Sequence, residues 1–258
     1  MAHHAPDPAS HYTRRGSPTQ DPQFKSSNIS PGGFTEMIRV PECLVPETVV
    51  AIPDHVPDLR AAFMEPLACC LRALDRVPVQ QGDTAVIVGA GAIGLLFVPL
   101  LAAQGVHVVA CDAREARLAE ALRWGAKAAV KAGDDSLVAE VKHLSQGRGA
   151  DVVILTVTTP ATMALALTLL RDGGTFIPFG VKPGPAMPVD LWSLYRREIS
   201  LVTSYSATPD GLCRAMDLLA GPGFELERTI SHTFSIDEAG AGFALLHEAK
   251  ASKVVITA

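Results

Sequence analysis

A glycine turn behind a run of apolar residues constrains the fold of this chain more than any other feature. Residues 86–96 read Val-Ile-Val-Gly-Ala-Gly-Ala-Ile-Gly-Leu-Leu, an uncharged strand, a G-x-G-x-x-G turn and a helix start. Gly89 turns the chain out of the strand, Gly91 leaves the backbone bare for a pyrophosphate, and Gly94 lets the helix lie close to the sheet. The phosphates then meet free N–H groups at a helix N-terminus. The predicted phosphate-binding residues are Gly89, Ala90, Gly91, Ala92, Ile93 and Gly94.

A second apolar strand ends in a carboxylate. Residues 108–111 are Val-Val-Ala-Cys, and Asp112 follows roughly 20 residues after the glycine turn, where a carboxylate accepts hydrogen bonds from the adenosine ribose. Because a carboxylate there repels a 2′-phosphate, the pattern predicts NAD as the cofactor in preference to NADP. Arg117 is predicted to contact a ribose hydroxyl, and the alternative is a solvated residue on a helix face. Arg114 either softens that repulsion or is a solvated residue on a helix face.

Composition narrows the class of protein. The chain has 258 residues, of which 48% are hydrophobic, so it can hold one large domain or one domain and a fragment of another. A formal net charge of −5 disfavours nucleic acids and acidic membranes as partners. Five cysteines without a C-x-x-C spacing are typical of a reduced, cytoplasmic protein. The stretch between Asp83 and Asp112 is uncharged, but its glycines indicate buried parallel strands and not a membrane span.

Strand and helix patterns alternate from about residue 73. This alternation predicts an α/β fold with a doubly wound parallel sheet of about six strands. Thr159-Pro160 and Thr208-Pro209 are typical helix starts, with an N-cap followed by a proline at the first helical position. The further predicted strands are 151–155, 175–179, 199–203 and 253–256. The predicted helices are 136–143, one from Thr159 to residues 172–174, one from Thr208 to Gly221, and one that begins at the capping box of Ser235 and Glu238.

The first 72 residues have a different composition. Residues 1–35 are rich in proline, serine, histidine and glycine, and we expect a loop or a poorly ordered segment there. Short strand-like pieces at 37–40 and 48–52 follow, and a helix begins near Phe63. We therefore predict four regions, 1–35, 36–72, 73–206 and 207–258, of which the third is the nucleotide-binding domain.

With these residues in hand, the chain resembles the zinc-dependent medium-chain alcohol and polyol dehydrogenases, of the sorbitol or threonine type, over nearly its whole length. The resemblance is carried by Gly32–Glu36, Met64–Ala68, the glycine turn with Asp112, Ile199–Ser206 and Lys253–Ile256. It implies oxidation of a small alcohol or polyol by hydride transfer to NAD, with a zinc ion that polarises the alkoxide. It also implies a Rossmann domain beside remnants of a GroES-like, β-rich catalytic domain.

The resemblance assigns roles to further residues. It implies that Thr156 and Val157 line the adenosine side of the cofactor. It also implies that Lys253 approaches the pyrophosphate and that Glu65 stands at a zinc-ligand position, which makes Glu65 the candidate catalytic and metal-binding residue. An alternative reading of Glu65 is a carboxylate placed favourably at a helix start. The residues implied to lie along the nicotinamide are Phe179, Gly180 and Val181.

Two departures from the family pattern bear on zinc. The family carries a further N-terminal segment with the catalytic cysteine, a Gly-His-Glu zinc motif and most of the barrel, and we expect this chain to be truncated relative to it. One carboxylate cannot hold catalytic zinc, which needs about three protein ligands. The family's structural-zinc cysteines are replaced at matching spacing, so we expect a metal-free lobe. The replacing residues are Asp7, Ser10, Thr13 and Asp21, with His3, His4 and His11 nearby.

Two functions follow from this pattern. The first is an NAD-dependent alcohol or polyol dehydrogenase, and the second is an NAD-binding fragment or engineered module without chemistry. Reduction of NAD in the presence of polyols, with and without a partner that supplies the missing barrel, distinguishes them. The segment 201–205 resembles a sheet edge that pairs across a dimer, so we expect a homodimer or a larger species. We also expect exposed apolar surface in 36–72 and 225–258.

Overall fold

The computed structural model describes residues 1–184, 186–248 and 250–257. It divides into two compact units, unit 1 (Met1–Arg72 and Tyr205–Ala258) and unit 2 (Ala73–Ser204). The helices are α1 (His11–Arg14), α2 (Pro22–Ser26), α3 (Val45–Thr48), α4 (Asp58–Ala61), α5 (Met64–Asp75), α6 (Gly94–Ala102), α7 (Glu115–Arg123), α8 (Ser136–Leu144), α9 (Pro160–Leu169), α10 (Leu191–Arg196), α11 (Pro209–Ala220) and α12 (Ala239–His247). The strands are β1 (Thr84–Val88), β2 (His107–Asp112), β3 (Ala128–Lys131), β4 (Ala150–Leu155), β5 (Leu170–Pro178), β6 (Ser200–Leu201), β7 (His232–Ser235) and β8 (Val254–Thr257). None of the helices in these ranges is long and apolar enough to cross a bilayer.

Unit 2 is built on a six-stranded parallel sheet in the order β3-β2-β1-β4-β5-β6. This confirms the predicted doubly wound α/β fold. In the central register, Val86 of β1 lies opposite Val109 of β2 and Val153 of β4. The strand order reverses between β1 and β4, and the carboxyl ends of these two strands therefore border the crevice in which such sheets bind ligands.

Both faces of the sheet are covered, which explains the uncharged run in the sequence. Val86 and Val88 of β1 belong to a buried cluster with Leu137 of α8 and Met163 of α9. Ile87 points to the opposite face, where its side chain lies beneath the first residue of α6. All five residues of β1 are buried, as is expected for a strand inside a parallel sheet.

The predicted ends of two elements in unit 2 are wrong. Helix α9 was expected to reach residues 172–174, but it ends at Leu169 because Leu170 already pairs with Ala150 of β4. The register then shifts between Ala150 and Val152, which places Gly173, at φ +70°, inside β5. The edge strand predicted over 199–203 is shorter, since Ser200 and Leu201 are the residues paired with β5. The N-caps Thr159 and Thr208 are confirmed.

Unit 1 contains the other elements, and two sequence expectations fail in it. The expected strand at 37–40 is a single bridge between Arg39 and Ser30, and Thr48 ends α3 instead of starting a strand. A segment of β-branched residues forms a strand only where a neighbouring strand pairs with it. Local strand propensity alone therefore gives the wrong prediction here. Strands β7 and β8 are parallel, and α12 packs on them at Gly242, where an added Cβ would lie 2.9 Å from Val254.

The expected loop over residues 1–35 is also incorrect in part. Helices α1 and α2 lie within it, and Phe24 of α2 is 3% exposed. Thr19 and Asp21 are buried as well, at 1% and 2% exposure. This segment therefore contributes to the core of unit 1 instead of forming a solvated tail.

An ion pair joins α4 to the 3₁₀ turn Leu226–Thr229 within unit 1. Arg60 donates from Nε to Glu227 Oε2 at 2.9 Å and from Nη2 to Oε1 at 2.6 Å, with side chains 16% and 23% exposed. The hydrogen bonds from Arg60 lower the pKa of Glu227. Because the folded pKa is depressed, the stability that this pair supplies is present at neutral pH and is lost as pH falls through and below the ordinary value of 4.5.

We expect Arg60→Ala to lower the free energy of unfolding by about 1–2 kcal/mol at neutral pH, since the bidentate, charge-assisted bonds are lost. The loss should shrink as pH falls from the ordinary glutamate pKa of 4.5 through the lower pKa of folded Glu227, where its carboxylate becomes protonated. Urea unfolding at neutral pH and below pH 4.5 measures this loss of stability. The double variant Arg60→Ala/Glu227→Ala is the control, because it removes the carboxylate whose protonation causes the pH dependence. A loss that does not change with pH would contradict the role assigned to the ion pair.

Candidate functional site

Two of the three glycines in the turn after β1 are required by the protein's own packing. Gly89 has φ +97°, and a Cβ there would lie 2.2 Å from Thr156 Oγ1. A Cβ at Gly94 would lie 1.9 Å from the carbonyl oxygen of Gly89 and 3.3 Å from Ile87 Cγ2. The first position needs a left-handed backbone, and the second lets α6 lie directly on the sheet.

Gly91 is different, because the protein's own packing does not require a glycine there. A Cβ built on Gly91 would lie 3.6 Å from Arg117 Nη1, an ordinary van der Waals distance. Packing within the chain therefore does not explain a glycine at this position. A backbone without a side chain just before α6 suits the close approach of a pyrophosphate group. Ala90 beside it is buried, and Ala92 and Ile93 are half-buried.

Asp112 ends β2 and is 6% exposed. Its Oδ2 accepts from the N–H of Ala90 at 2.9 Å and from Arg117 Nη1 at 3.3 Å, and its Oδ1 accepts from the N–H of Arg114 at 2.9 Å. The carboxylate thus ties the glycine turn to the start of α7. Since each carboxylate oxygen accepts about two hydrogen bonds, Oδ1 keeps capacity for one more donor, such as a hydroxyl.

Three neighbours complete the surroundings of Asp112. The guanidinium of Arg117 lies between Gly91 and Asp112, and its Nε is buried without a hydrogen-bond partner. Burial, with the Asp112 charge as a second cause, raises the pKa of the Cys111 thiol to about 11, so this thiol is protonated at neutral pH. The Arg114 side chain is exposed, which favours the solvated alternative for it.

The ends of β4 and β5 close the other side of the crevice. Thr156 Oγ1 donates to the carbonyl oxygen of Gly89 at 2.8 Å. The N–H of Thr158 donates to the carbonyl oxygen of Gly180 at 3.0 Å. A Cβ on Gly180 would lie 1.8 Å from the Thr156 carbonyl oxygen, so this glycine is required for the close approach of the two strand ends. Val157 and Val181 are exposed at 56% and 55%, as apolar residues beside a ligand can be.

Sequence reasoning missed Phe97 of α6. Its ring packs edge-on against Phe179, with centroids 5.0 Å apart, and it is fully buried. Phe97 therefore fixes the side chain predicted to lie along the nicotinamide. An apolar residue on an apolar helix gives no sequence signal that separates this contact from ordinary core packing.

The remaining predicted site residues, Glu65 and Lys253, belong to unit 1. Glu65 Oε1 accepts from the Cys69 thiol at 3.1 Å, and burial followed by the Glu65 charge raises the pKa of Cys69. Lys253 Nζ lies 5.4 Å from the centre of the Phe63 ring. Burial lowers the pKa of Lys253, and the charge of Glu65 partly opposes this.

The Cys69 thiol, the amine of Lys253 and His3 surround Glu65. Burial is the main reason that the pKa of His3 lies below its ordinary value. Within residues 1–184, 186–248 and 250–257, no three His, Cys, Asp or Glu side chains stand close enough together to hold a metal. Zinc binding at Glu65 would therefore need ligands from outside these ranges.

Comparisons with known proteins give a consistent picture. The model of a family described as zinc-binding dehydrogenase matches residues 92–221. The chain is 28% identical over 230 residues to L-threonine 3-dehydrogenase of Anaeromyxobacter dehalogenans. The aligned region covers 88% of this chain and 64% of that protein. The chain is 28% identical over 213 residues to sorbitol dehydrogenase of Halalkalibacterium halodurans, with 82% and 62% covered. The chain therefore spans under two thirds of the length of these relatives.

A solved structure shows the same architecture. It is a protein from Sinorhizobium meliloti 1021, described as a zinc-binding dehydrogenase and bound to NADP. The TM-score is 0.86 at 28% sequence identity, and the match covers 99% of this chain and 75% of that one.

Proposed function

Because this chain belongs to the zinc-binding medium-chain dehydrogenase family, whose members use NAD or NADP, we propose that it binds NAD at the carboxyl edge of its six-stranded sheet and acts as an NAD-dependent oxidoreductase on a small alcohol or polyol. The observation that carries the proposal is that packing within the chain requires Gly89 and Gly94 but does not require Gly91, where a Cβ would lie at an ordinary 3.6 Å from Arg117. A bound pyrophosphate would account for the third glycine.

Each part of the crevice has a proposed task. The N–H groups of residues 89–94 bind the pyrophosphate, and Asp112 Oδ1 accepts from a ribose hydroxyl beside Arg117. Thr156 and Val157 line the adenosine side, and Phe179, Gly180 and Val181 line the nicotinamide side. When bound, NAD supplies the hydride acceptor for the oxidation of the hydroxyl compound.

Discrimination against NADP rests on the buried charge of Asp112. A 2′-phosphate would meet a carboxylate that is 6% exposed and is only partly compensated by Arg117 Nη1 at 3.3 Å. We expect NADH to bind at least about tenfold more tightly than NADPH, a difference of ~1.4 kcal/mol. Fluorescence titration of both reduced cofactors measures the ratio, and equal affinities would overturn the preference, as would tighter binding of NADPH.

A second candidate function is dinucleotide binding without oxidation. The hydrogen bond from the Cys69 thiol to Glu65 Oε1 at 3.1 Å favours it, because Glu65 then has a partner without a metal. Two measurements separate the oxidoreductase from the dinucleotide-binding function. Elemental analysis gives the zinc content per chain on protein purified without chelators, and an activity assay follows NAD reduction with sorbitol or threonine. A zinc content near zero without turnover supports the second function, and turnover by this chain contradicts it.

We further propose that the chain self-associates through the outer edge of β6. Strand β6 is the last of the sheet, and Leu201 on it is 41% exposed. Trp192 and Tyr195 of α10, which precedes it, are 67% and 78% exposed. Light scattering tests this, and a monomer at all concentrations would contradict it.

A further inference from the structure

We propose that hydrogen bonds centred on the Asp21 carboxylate, and not a bound metal, hold together the segment of residues 5–27, here called the N-terminal lobe. The lobe contains the four positions that match a structural-zinc spacing in the sequence. This inference concerns unit 1 alone, and it is independent of the proposed function of the crevice.

The Asp21 carboxylate is the centre of the lobe. It is 2% exposed, and its Oδ1 accepts from the N–H groups of Asp7 at 3.1 Å, Gln23 at 2.9 Å and Phe24 at 3.2 Å. One anion therefore caps the N-terminus of α2 and also binds the chain 14 residues earlier. A metal with four ligands would join the same stretches of backbone.

The other three positions are occupied by short-range hydrogen bonds. Ser10 caps α1, accepting from the N–H of Thr13 at 3.2 Å, and the two hydroxyl oxygens are 3.1 Å apart. Asp7 Oδ1 accepts from the N–H of Ala9 at 2.8 Å. All four side chains are thus engaged within the lobe, and each has a partner that an incoming cation would displace.

The donor set does not fit zinc for a chemical reason. Two carboxylates and two hydroxyls contain neither thiolate nor imidazole, the ligands that structural zinc sites use. In addition, three N–H groups point their positive ends at Asp21 Oδ1. Burial alone would raise the pKa of Asp21, yet the hydrogen bonds from Asp7, Ser10, Phe24 and Gln23 lower it overall. Those donors stabilise the carboxylate as an anion, as a cation would.

Further contacts close the lobe and anchor it in unit 1. Ser27 Oγ accepts from the N–H of Ala5 at 3.1 Å, which joins the two ends of the segment. Phe24 is buried against His4, with ring centroids 5.1 Å apart. Thr19 Oγ1 lies 3.5 Å from Arg72 Nη2 of α5. The lobe is therefore held at its ends and on one face, and Asp21 organises its interior.

Hydrogen exchange followed by mass spectrometry tests the proposal on the whole chain. Asp21→Ala is compared with Asp7→Ala, which removes a carboxylate whose recorded side-chain bond is local and exposed. We expect Asp21→Ala to speed exchange in peptides from residues 5–27 by about tenfold, because the cap and the link to Asp7 are both lost. Asp7→Ala should change the exchange rate of the same peptides by less than about threefold. Equal exchange in wild type and Asp21→Ala would overturn the proposal.

The wild-type chain supplies a test that does not depend on any variant folding. We expect exchange in residues 5–27 to be the same with and without EDTA, and the same after incubation with zinc chloride. Faster exchange of these peptides in EDTA would show that a metal holds the lobe and would overturn the proposal. Zinc found in the protein while lobe exchange stays insensitive to EDTA would support it, since that metal is bound elsewhere.

Discussion

Gly94→Ala will destabilise unit 2 by more than about 3 kcal/mol, while Gly91→Ala will fold normally and lose affinity for NADH. An alanine Cβ at position 94 would lie 1.9 Å from the carbonyl oxygen of Gly89, a backbone atom fixed by the turn. Helix α6 could accommodate it only by leaving the sheet. At position 91 the Cβ meets the Arg117 guanidinium at 3.6 Å, so the folded chain tolerates it.

Under the proposed function the pyrophosphate approaches the bare backbone of residue 91, and an added methyl group would hinder that approach. We expect NADH affinity to fall by about tenfold or more, at least ~1.4 kcal/mol. Thermal unfolding and fluorescence titration of both variants measure the two effects separately. Unchanged NADH affinity in a folded Gly91→Ala variant would remove the observation on which the proposed function rests. A Gly94→Ala variant as stable as wild type would contradict the close packing of α6.

Asp112→Asn will reduce NADH affinity by about tenfold and abolish the preference over NADPH. The amide keeps one acceptor oxygen and puts an NH2 group in place of the other. Either the N–H of Arg114, or the N–H of Ala90 together with Arg117, then loses its acceptor. We therefore also expect a loss of about 1–3 kcal/mol in the free energy of unfolding.

Asp134→Asn is a matched control for this substitution. Asp134 also accepts from a backbone N–H two residues ahead, that of Ser136 at 2.8 Å, but it is exposed and lies before α8. The Asp134→Asn substitution should leave the affinities for NADH and NADPH unchanged. An Asp112→Asn variant that still binds NADH tightly and rejects NADPH would show that another group discriminates between the cofactors.

The crevice was predictable from sequence to the extent that its chemistry is local. Residues 84–94 form a strand, a turn and a helix start whose geometry depends on neighbours a few positions away, so the glycines and the end of β2 at Asp112 could be assigned. The need for Gly180 could not be derived in this way, since it arises from the Thr156 carbonyl oxygen on an adjacent strand. The same holds for Phe97, which reaches Phe179 only after α6 packs on the sheet.

The N-terminal lobe shows the opposite case. Its polar, proline-rich composition predicted a loop or poor order, but the structure places two helices in it and buries Phe24. Composition reports how much apolar surface a segment can bury, and it does not report hydrogen bonds to a carboxylate such as Asp21. Those bonds link Asp21 to the backbone of Asp7, 14 residues earlier, and no periodic pattern in the sequence relates the two positions.

The sequence by itself determined the parallel sheet of unit 2, its glycine turn and its helix caps, because strand burial, backbone conformation and capping depend on residues close together in the chain. Only the tertiary structure decided the register at β5, the absence of strands at 37–40 and 48–52 in the described chain, and the surroundings of Glu65. These depend on which distant segments meet, since a strand needs a partner and a carboxylate takes its chemistry from the groups packed around it.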